Sequence, residues 1–430
     1  MAPHAAHRIA SLAAQALGTP LPLRVRAWDG SESGPQDTPV LVFRHRRALR
    51  RLLWNPGELG LARAWVAGEI DVEGDLYSAL DQLTAVAPDE DGTDLARRLM
   101  RDRIALRLVG GVLRLAGPGM PPAPPAEEAV RRQGTLHTRR RDREAISHHY
   151  DVGNEFYAHI LGPSMVYSCA YWDRADGCLE DAQYAKLDLI CRKLALRPDQ
   201  HLLDIGCGWG SLVLHAAQHY RVRATGVTIS VEQAELARKR VAEAGLTDRI
   251  DIRVQDYRDV TDGPYDAISS VGMAEHVGQV RYQTYAKAVY GLLKPGGRLL
   301  NHQIARRPLA DETSYHVDEF IDRYVFPDGE LSPVGSTVSS LEQAGFEVRD
   351  VEALREHYAL TLRAWVRNLE SNLAEAEALT TPGRARIWRL YMAASALAFE
   401  RNRIGVNQVL AVRTTDDGDS SMPLVRGNWY

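Results

Sequence analysis

The sequence predicts an α/β protein in which a doubly wound, parallel sheet is preceded by a smaller α+β domain. Three observations support this fold class. An apolar run over 202–205 leads into a glycine-rich loop and then a helical pattern. From there to residue 303, short apolar strand patterns alternate with helical patterns, which indicates β–α–β units. A Pro-rich stretch over 117–128 cannot continue a helix and marks the boundary between the two domains.

The glycine-rich loop is the most specific local feature. Asp204 lies near the end of the apolar run, and Gly206, Gly208 and Gly210 follow at alternate positions before a helical pattern. Glycines allow left-handed backbone and close approach of a ligand, and a helix N-terminus offers free N–H donors. The spacing D-x-G-x-G-x-G differs from the G-x-G-x-x-G of dinucleotide-binding folds. It resembles the first motif of S-adenosylmethionine-dependent methyltransferases, in which this loop holds the methionine end of the cofactor.

Composition narrows the class of protein further. The 430 residues are enough for two domains, and the formal net charge of −4 gives no general attraction to polyanions. Because no nucleic-acid-binding module is recognised, we expect no nucleic-acid partner. The four cysteines lack zinc-like spacing, which predicts reduced intracellular thiols and no metal site. No apolar run approaches the roughly 18 residues of a membrane span. We therefore expect a cytoplasmic protein whose only membrane contact is peripheral.

The N-terminal domain, residues 1–116, is predicted to combine helices and short strands. Its predicted elements are a helix over 8–17 and strands over 21–28 and 40–43. Four apolar residues then share one helical face, before Gly68 ends that helix: Leu59, Ala62, Trp65 and Val66. The stretch 104–115 is mostly apolar but contains Arg107 and Arg114. It is either a core helix or an amphipathic helix that faces a membrane.

Residues 117–147 are predicted to be a linker. A basic run follows the Pro-rich part and consists of Arg131, Arg132, His137, Arg139, Arg140, Arg141 and Arg143. Such a run is either a solvated face or a contact with an anionic bilayer, where each Arg contributes about 1 kcal/mol.

Residues 148–430 form the predicted second domain. Its first part, 148–172, mixes aromatic and polar residues without clean periodicity, which is typical of a segment that covers a site. The predicted elements after it are helices over 179–196, 231–244, 282–293 and 382–412, and strands over 222–227, 250–254, 265–271 and 297–303. Ligands of such sheets bind at the carboxyl ends of the strands, where the glycine loop lies.

Several stretches after the linker together resemble the cyclopropane-fatty-acid synthase family, which includes the mycolic acid cyclopropane synthases. They are HYDVGNEFY (149–157), YSCAYW (167–172), LDIGCGWG (203–210), GVTIS (226–230) with Gln233, GMAEHVG (272–278), NHQI (301–304), HYALTLRAW (357–365) and FERNRIGVNQVL (399–410). The N-terminal GELGLARAWVAGEIDVEGDL (57–76) resembles the extra domain of longer, phospholipid-modifying members. The resemblance implies a Rossmann-like methyltransferase sheet over 148–430.

The resemblance also implies a base for the reaction. In the family, a bicarbonate ion is held by a Glu, a His, a Tyr, and the backbone of a Cys and an Ile. The corresponding residues here are Glu275, His302, Tyr358, Cys169 and Ile304. Taken singly, a Glu after a strand is more often solvated and a His more often a hydrogen-bonded structural residue. The joint match of the motifs favours the catalytic interpretation.

The cofactor site follows from the same resemblance. Besides Asp204 and the three glycines, it comprises Tyr167, Ser168, Thr228, Ser230, Gln233, Asp256 and Tyr257. Tyr167 and Ser168 are expected to close over S-adenosylmethionine, and Thr228 and Gln233 to contact its ribose. Ser230 with Gln233 also fits a capping box for the next helix, which is compatible with that role. The adenine contacts are expected from Asp256 and Tyr257, where some relatives have a Trp-Glu pair.

These features predict a methyltransferase that acts on the double bond of an unsaturated fatty acyl chain in a membrane phospholipid. The cation left by methyl transfer can close a cyclopropane, or shift a hydride and form a methylene branch, which a separate reductase would saturate. The long N-terminal form and the Arg-rich composition resemble actinobacterial members, among which methylene-forming enzymes occur. The methylene product is therefore predicted, with the cyclopropane as its alternative. A small-molecule methyltransferase is the second alternative. The resemblance further suggests a homodimer, and it suggests that the N-terminal domain serves either lipid contact or dimerisation.

Overall fold

The computed structural model describes residues 4–86, 103–129, 138, 139, 141 and 152–429. The chain divides into two compact units. The first contains residues 1–131, 318–325 and 373–397, and the second contains 132–317, 326–372 and 398–430. Of the predicted basic run, only Arg139 and Arg141 are described. The first three residues of the 149–157 motif also lie outside the described part of the chain.

The first unit contains a four-stranded sheet. Its strands are β1 (Arg24–Arg26), β2 (Glu32–Ser33), β3 (Val40–Phe43) and β4 (Ile70–Glu73), in the order β2-β1-β3-β4. Only the β1–β3 pair is parallel. The helices in this part of the chain are Ala5–Leu17, Arg47–Trp54, Glu58–Val66, Leu76–Val86 and Arg103–Ala116. The predicted apolar face of Glu58–Val66 is buried, which confirms a packed helix.

A later segment of the chain is anchored within this unit by Arg386. Its guanidinium donates hydrogen bonds to the backbone oxygens of Trp65 and Ile70, both at 2.6 Å, and lies 4.4 Å from the centroid of the Trp65 ring. In return, Trp65 Nε1 donates to the Arg386 carbonyl at 2.9 Å. These reciprocal bonds explain how residues far apart in the sequence belong to one unit.

The second unit contains a seven-stranded sheet. Its strands are β5 (His201–Ile205), β6 (Arg223–Thr228), β7 (Ile250–Val254), β8 (Tyr265–Val271), β9 (Leu293–Arg306), β10 (Glu347–Ala353) and β11 (Ile404–Val412). The order is β10-β11-β9-β8-β5-β6-β7. The five strands from β9 to β7 are parallel, as predicted, but β11 pairs antiparallel with both β9 and β10. The sheet is therefore mixed rather than purely parallel.

The antiparallel strand β11 corrects the predicted helix over 382–412. The helix Pro382–Glu400 ends before Asn402, which has a φ of 54°, and β11 follows. Four residues of β11 are β-branched, namely Ile404, Val406, Val409 and Val412, and such residues favour strands. Nine consecutive pairs with β9 then fix this segment as a strand inside the sheet.

Helices pack on both faces of this sheet. They are Asn154–Leu161, Leu179–Lys193, Ser211–Tyr220, Val231–Glu243, Ala274–Val277, Gln279–Leu292, Val334–Gln343 and Arg355–Ser371. Leu300 and Leu410 pack in the core on one face, and Leu299 and Val409 in the core on the other. The aromatic segment predicted to cover a site contains the helix Asn154–Leu161, whose Phe156 and Tyr157 are fully buried. Part of that segment is thus core. Among the described residues, no helix is long and apolar enough to span a bilayer.

Candidate active site

A cleft lies at the carboxyl ends of β5, β6 and β8. It encloses about 1220 Å³ of empty space, including its opening to solvent. Nine of the predicted cofactor residues line it: Tyr167, Ser168, Asp204, Gly206, Gly208, Thr228, Gln233, Asp256 and Tyr257. Gly210 and Ser230 do not line it, and instead occupy the N-cap positions of the two helices that follow β5 and β6.

The glycine loop forms the floor of the cleft, and its left-handed backbone favours glycine. Gly206, Gly208 and Gly210 have φ values of 76°, 52° and 79°. A Cβ on Gly206 would lie 2.9 Å from Met273 Cγ. The N–H groups of Gly206 and the next residue both donate to the carbonyl of Val227, at 2.9 and 3.0 Å. These bonds tie the loop to the end of β6.

Asp204 sits below the loop with its carboxyl enclosed. Ser269 Oγ donates to Asp204 Oδ1 at 2.7 Å. Burial raises the pKa of Asp204 to about 6, although the hydrogen bond from Ser269 and the charge of Lys186 oppose the shift. Asp204 is therefore a structural acceptor that also presents negative charge to the cleft at neutral pH.

The end of β6 forms the predicted helix cap and, in addition, a side-chain hydrogen bond that was not predicted. Thr228 Oγ1 donates to Gln233 Oε1 at 2.9 Å, and both residues line the cleft. Ser230 Oγ accepts from the Gln233 N–H at 3.2 Å, which is the predicted helix cap. Gln233 thus joins the cap to the wall of the cleft.

The end of β7 has a different arrangement. Asp256 accepts from the backbone N–H and the guanidinium of Arg258, at 2.6 to 2.9 Å. Burial alone would raise the pKa of Asp256, but these bonds hold it below its ordinary value. Tyr257 is nearly buried and lines the cleft beside them. An Asp256–Arg258 pair and the ring of Tyr257 therefore line the part of the cleft where the adenine contacts are predicted.

Lys186 is a cleft residue that the sequence analysis missed. It projects from the helix Leu179–Lys193 and is 2% exposed, and its Nζ donates to Ser168 Oγ at 2.9 Å. Burial lowers the pKa of Lys186 to about 8, while the nearby charge of Asp204 acts in the other direction. A lysine flanked by the buried Leu187 and Ile190 was the available signal, since a lysine is rarely buried unless its charge has a partner.

The candidate catalytic residues lie beside this cleft. Ile304 N–H donates to Glu275 Oε1 at 2.8 Å. The other carboxyl oxygen, Glu275 Oε2, and both ring nitrogens of His302 are buried without a hydrogen-bond partner in the described part of the chain. Burial raises the pKa of Glu275 to about 7 and lowers that of His302 to about 3. Near neutral pH, His302 is therefore uncharged, and Glu275 exchanges between its two forms.

Backbone contacts connect these residues to the cleft. Val271 is in register with His302, and the Gly272 N–H donates to the His302 carbonyl at 2.9 Å. Val271 and Gly272 both line the cleft, as do Met273 and His276 on either side of Glu275 in the chain. The loop after β8 therefore lies between the cleft and the Glu275 carboxyl.

Cys169 and Tyr358 complete the predicted set. Cys169 is fully buried, and its Sγ lies 3.6 Å from the carbonyl of Leu354, which also accepts from the Tyr358 N–H. The Trp365 ring links Tyr358 to the cleft residue Tyr167, with centroid distances of 6.0 and 5.3 Å. Aromatic faces thus border the space next to the cleft.

The sequence and the fold are similar to those of known methyltransferases and cyclopropane synthases. The family profile described as "Mycolic acid cyclopropane synthetase" matches residues 137–409. A probable fatty acid methyltransferase of Mycobacterium tuberculosis is 43% identical over 94% of both chains. The cyclopropane-fatty-acyl-phospholipid synthase of Escherichia coli is 41% identical over 63% of this chain and 68% of its own. The crystal structure of a mycolic acid cyclopropane synthase with bound S-adenosylhomocysteine has a TM-score of 0.59 at 32% identity, covering 63% of this chain and 97% of its own.

Proposed function

Because the chain belongs to the mycolic acid cyclopropane synthetase family and is an S-adenosylmethionine-dependent lipid methyltransferase, we propose that it methylates the double bond of an unsaturated fatty acyl chain carried by a phospholipid. We propose a methylene-branched product, because a relative that matches along 94% of both chains is described as a probable fatty acid methyltransferase. The cyclopropane product is the second candidate, since the chain is 41% identical to a cyclopropane synthase over 270 residues.

The buried polar atoms of Glu275 and His302 are the observation that carries this proposal. An alkene is a weak nucleophile, so the protein must align it with the sulfonium methyl group, and alignment can lower the barrier by roughly 7–11 kcal/mol. Methyl transfer leaves a carbocation on the acyl chain, which must lose one proton away from water. Enclosed polar atoms are suited to the removal of this proton away from water. The aromatic rings that border the space next to the cleft are suited to the carbocation, because aromatic faces attract a cation.

The same atoms fit a bound bicarbonate, which would supply the proton acceptor. Glu275, His302 and Tyr358 would hold it, with the backbones of Cys169 and Ile304. The pKa of Glu275 is about 7, so its carboxyl is partly protonated at neutral pH and can donate a hydrogen bond to the anion. An ionised Glu275 would repel the anion, whereas the neutral His302 does not. The Ile304 N–H donates to Glu275 Oε1, so it would hold the anion through that carboxyl.

Expression in a bacterium whose lipids lack branched and cyclopropane chains tests the proposal. Mass spectrometry should show acyl chains heavier by one CH2 group, and proton NMR should separate an exocyclic methylene from a cyclopropane ring. A Glu275→Gln strain is the matched control, and we expect it to retain binding of S-adenosylhomocysteine while forming no product. If the strain that expresses the wild-type protein keeps unmodified lipids, the unsaturated acyl chain is not the methyl acceptor. If the Gln variant forms product, the proposed role of Glu275 is wrong.

We also propose that the first unit makes the peripheral membrane contact. Arg47 and Trp54 lie seven residues apart on one helix, so they share a face, and Trp54 is 53% exposed. Arg46 next to them is exposed as well. An exposed Trp beside basic residues is suited to the headgroup region of an anionic bilayer. Sedimentation with vesicles of anionic and zwitterionic lipid tests this contact.

A further inference from the structure

A second buried polar side chain lies directly opposite His302. Strands β9 and β11 are antiparallel, and Gln408 is in register with His302. Side chains of directly opposed residues lie on the same face, with Cβ atoms about 4.5–5.5 Å apart. Gln408 is 0% exposed and His302 is 2% exposed. The two side chains therefore share one enclosed space on the face of the sheet that also carries Leu300 and Leu410.

The hydrogen-bonding groups of this pair are not used by the rest of the described chain. Neither Oε1 nor Nε2 of Gln408 has a partner there, and neither does Nδ1 or Nε2 of His302. Burying an amide in this way is unfavourable unless a bound group completes its hydrogen bonds. The two side chains do not satisfy each other, so a third group between them would satisfy both.

Gln303 provides an internal comparison, because it is a buried glutamine whose role is structural. It lies on the opposite face of β9, where its Oε1 accepts from Tyr282 and Asn301 at 2.9 and 2.8 Å. Its Nε2 donates to Thr337 Oγ1 at 2.7 Å. Both polar side-chain atoms of this structural glutamine are thus hydrogen-bonded, whereas neither polar atom of Gln408 has a partner in the described chain.

We propose that Gln408 is a further ligand of the anion held by Glu275 and His302, an inference that rests on the proposed function. Its Nε2 donates a hydrogen bond to an anion oxygen, and its Oε1 accepts from the hydroxyl of bicarbonate. A carboxamide suits a hydrogen carbonate because it offers both a donor and an acceptor without adding charge. Glu352, the β10 residue in register with Gln408, forms an ion pair with Lys193, so these two neighbouring charges neutralise each other.

Bicarbonate binding without an acyl substrate tests this inference. Titration calorimetry of the full chain in CO2-free buffer, with S-adenosylhomocysteine present, should give a bicarbonate dissociation constant for the wild type. Gln408→Met keeps the length of the side chain but removes both hydrogen-bonding groups. We expect the constant to rise at least about tenfold, as for the loss of a hydrogen bond to a charged group. The affinity for S-adenosylhomocysteine should stay unchanged. Gln408→Asn, which keeps the amide, provides a second variant if the Met variant does not fold.

The control is Asn407→Ala, one residue earlier on the opposite face of β11, which should leave the bicarbonate constant unchanged. A structural role for Gln408 would instead lower the melting temperature measured without bicarbonate. No bicarbonate binding by the wild type, or a constant changed less than twofold by both Gln408 variants, would overturn the inference. Lipids that stay unmodified while bicarbonate still binds would contradict the proposed acceptor and leave the assignment of Gln408 intact.

Discussion

The ionisation of Glu275 makes a quantitative prediction about the pH dependence of stability. The pKa of its carboxyl is about 7 in the folded protein, against an ordinary value of 4.5. Between these values the folded protein binds more protons than the unfolded chain, so the free energy of unfolding falls as the pH rises. The difference of pKa corresponds to about 3 kcal/mol. Burial causes the shift, so this amount is the cost of keeping an ionised carboxylate in the enclosed space.

Glu275→Gln removes that ionisation while keeping an Oε1 that can accept from the Ile304 N–H. We therefore expect the free energy of unfolding of the variant, relative to the wild type, to increase by about 3 kcal/mol between about pH 4.5 and about pH 8. Urea unfolding at several pH values, followed by fluorescence and circular dichroism, measures this difference. The prediction concerns only how this difference in the free energy of unfolding changes with pH. The new amide also alters the stability, but by an amount that does not depend on pH.

A matched control separates this effect from general changes of charge. Glu342 is exposed on the helix Val334–Gln343, and Glu342→Gln removes the same charge from a solvated position. Its stability relative to the wild type should stay nearly constant over the same pH range. If the stability of Glu275→Gln relative to the wild type also stays constant with pH, the Glu275 carboxyl is not a buried group that exchanges a proton near neutral pH. The proposed anion site depends on such a carboxyl.

Three further predictions concern the cleft and the membrane contact. Lys186→Met removes a buried charge and a hydrogen bond to the cleft, so we expect the dissociation constant of S-adenosylmethionine to rise roughly tenfold by calorimetry. The wild-type affinity should also fall above about pH 8, where Lys186 loses its charge next to Asp204, Cys169 and Cys191. Gly206→Ala should abolish cofactor binding in the same assay, because its Cβ would lie 2.9 Å from a side-chain carbon and a positive φ adds about 1–2 kcal/mol of strain. Trp54→Ala should weaken binding to anionic vesicles roughly tenfold in sedimentation assays, the loss expected from one large apolar side chain.

Each of these changes has its own control. Lys239→Met removes an exposed lysine and should leave cofactor affinity unchanged, whereas a loss equal to that of Lys186→Met would contradict a local effect. Gly245→Ala introduces the same backbone strain at a φ of 68°, with nothing within 4 Å of the added Cβ. It should lower stability without affecting the cofactor. Trp54→Ala should bind S-adenosylhomocysteine normally, and unchanged vesicle binding would exclude this helix from the membrane contact.

Local patterns were sufficient for much of the sheet. The bounds of β7 and β8 agree with the predicted strands, because alternating helices and apolar runs of typical length leave little freedom in that region. The same patterns missed β10 and assigned β11 to a helix. Both are antiparallel additions at one edge of the sheet. Their place depends on the pairing of β11 with β9 and of β10 with β11, rather than on their own periodicity.

The sequence by itself determined the glycine loop and the candidate residues around it, because left-handed glycines after a strand and matched motifs are local properties of the chain. Only the tertiary structure decided which side chains meet at the site. Lys186 reaches Ser168 because a helix packs its buried face beside the cleft, and Gln408 faces His302 because two antiparallel strands adopt one register. Burial then sets the pKa values of Glu275 and Lys186, since the cost of an enclosed charge depends on everything packed around it.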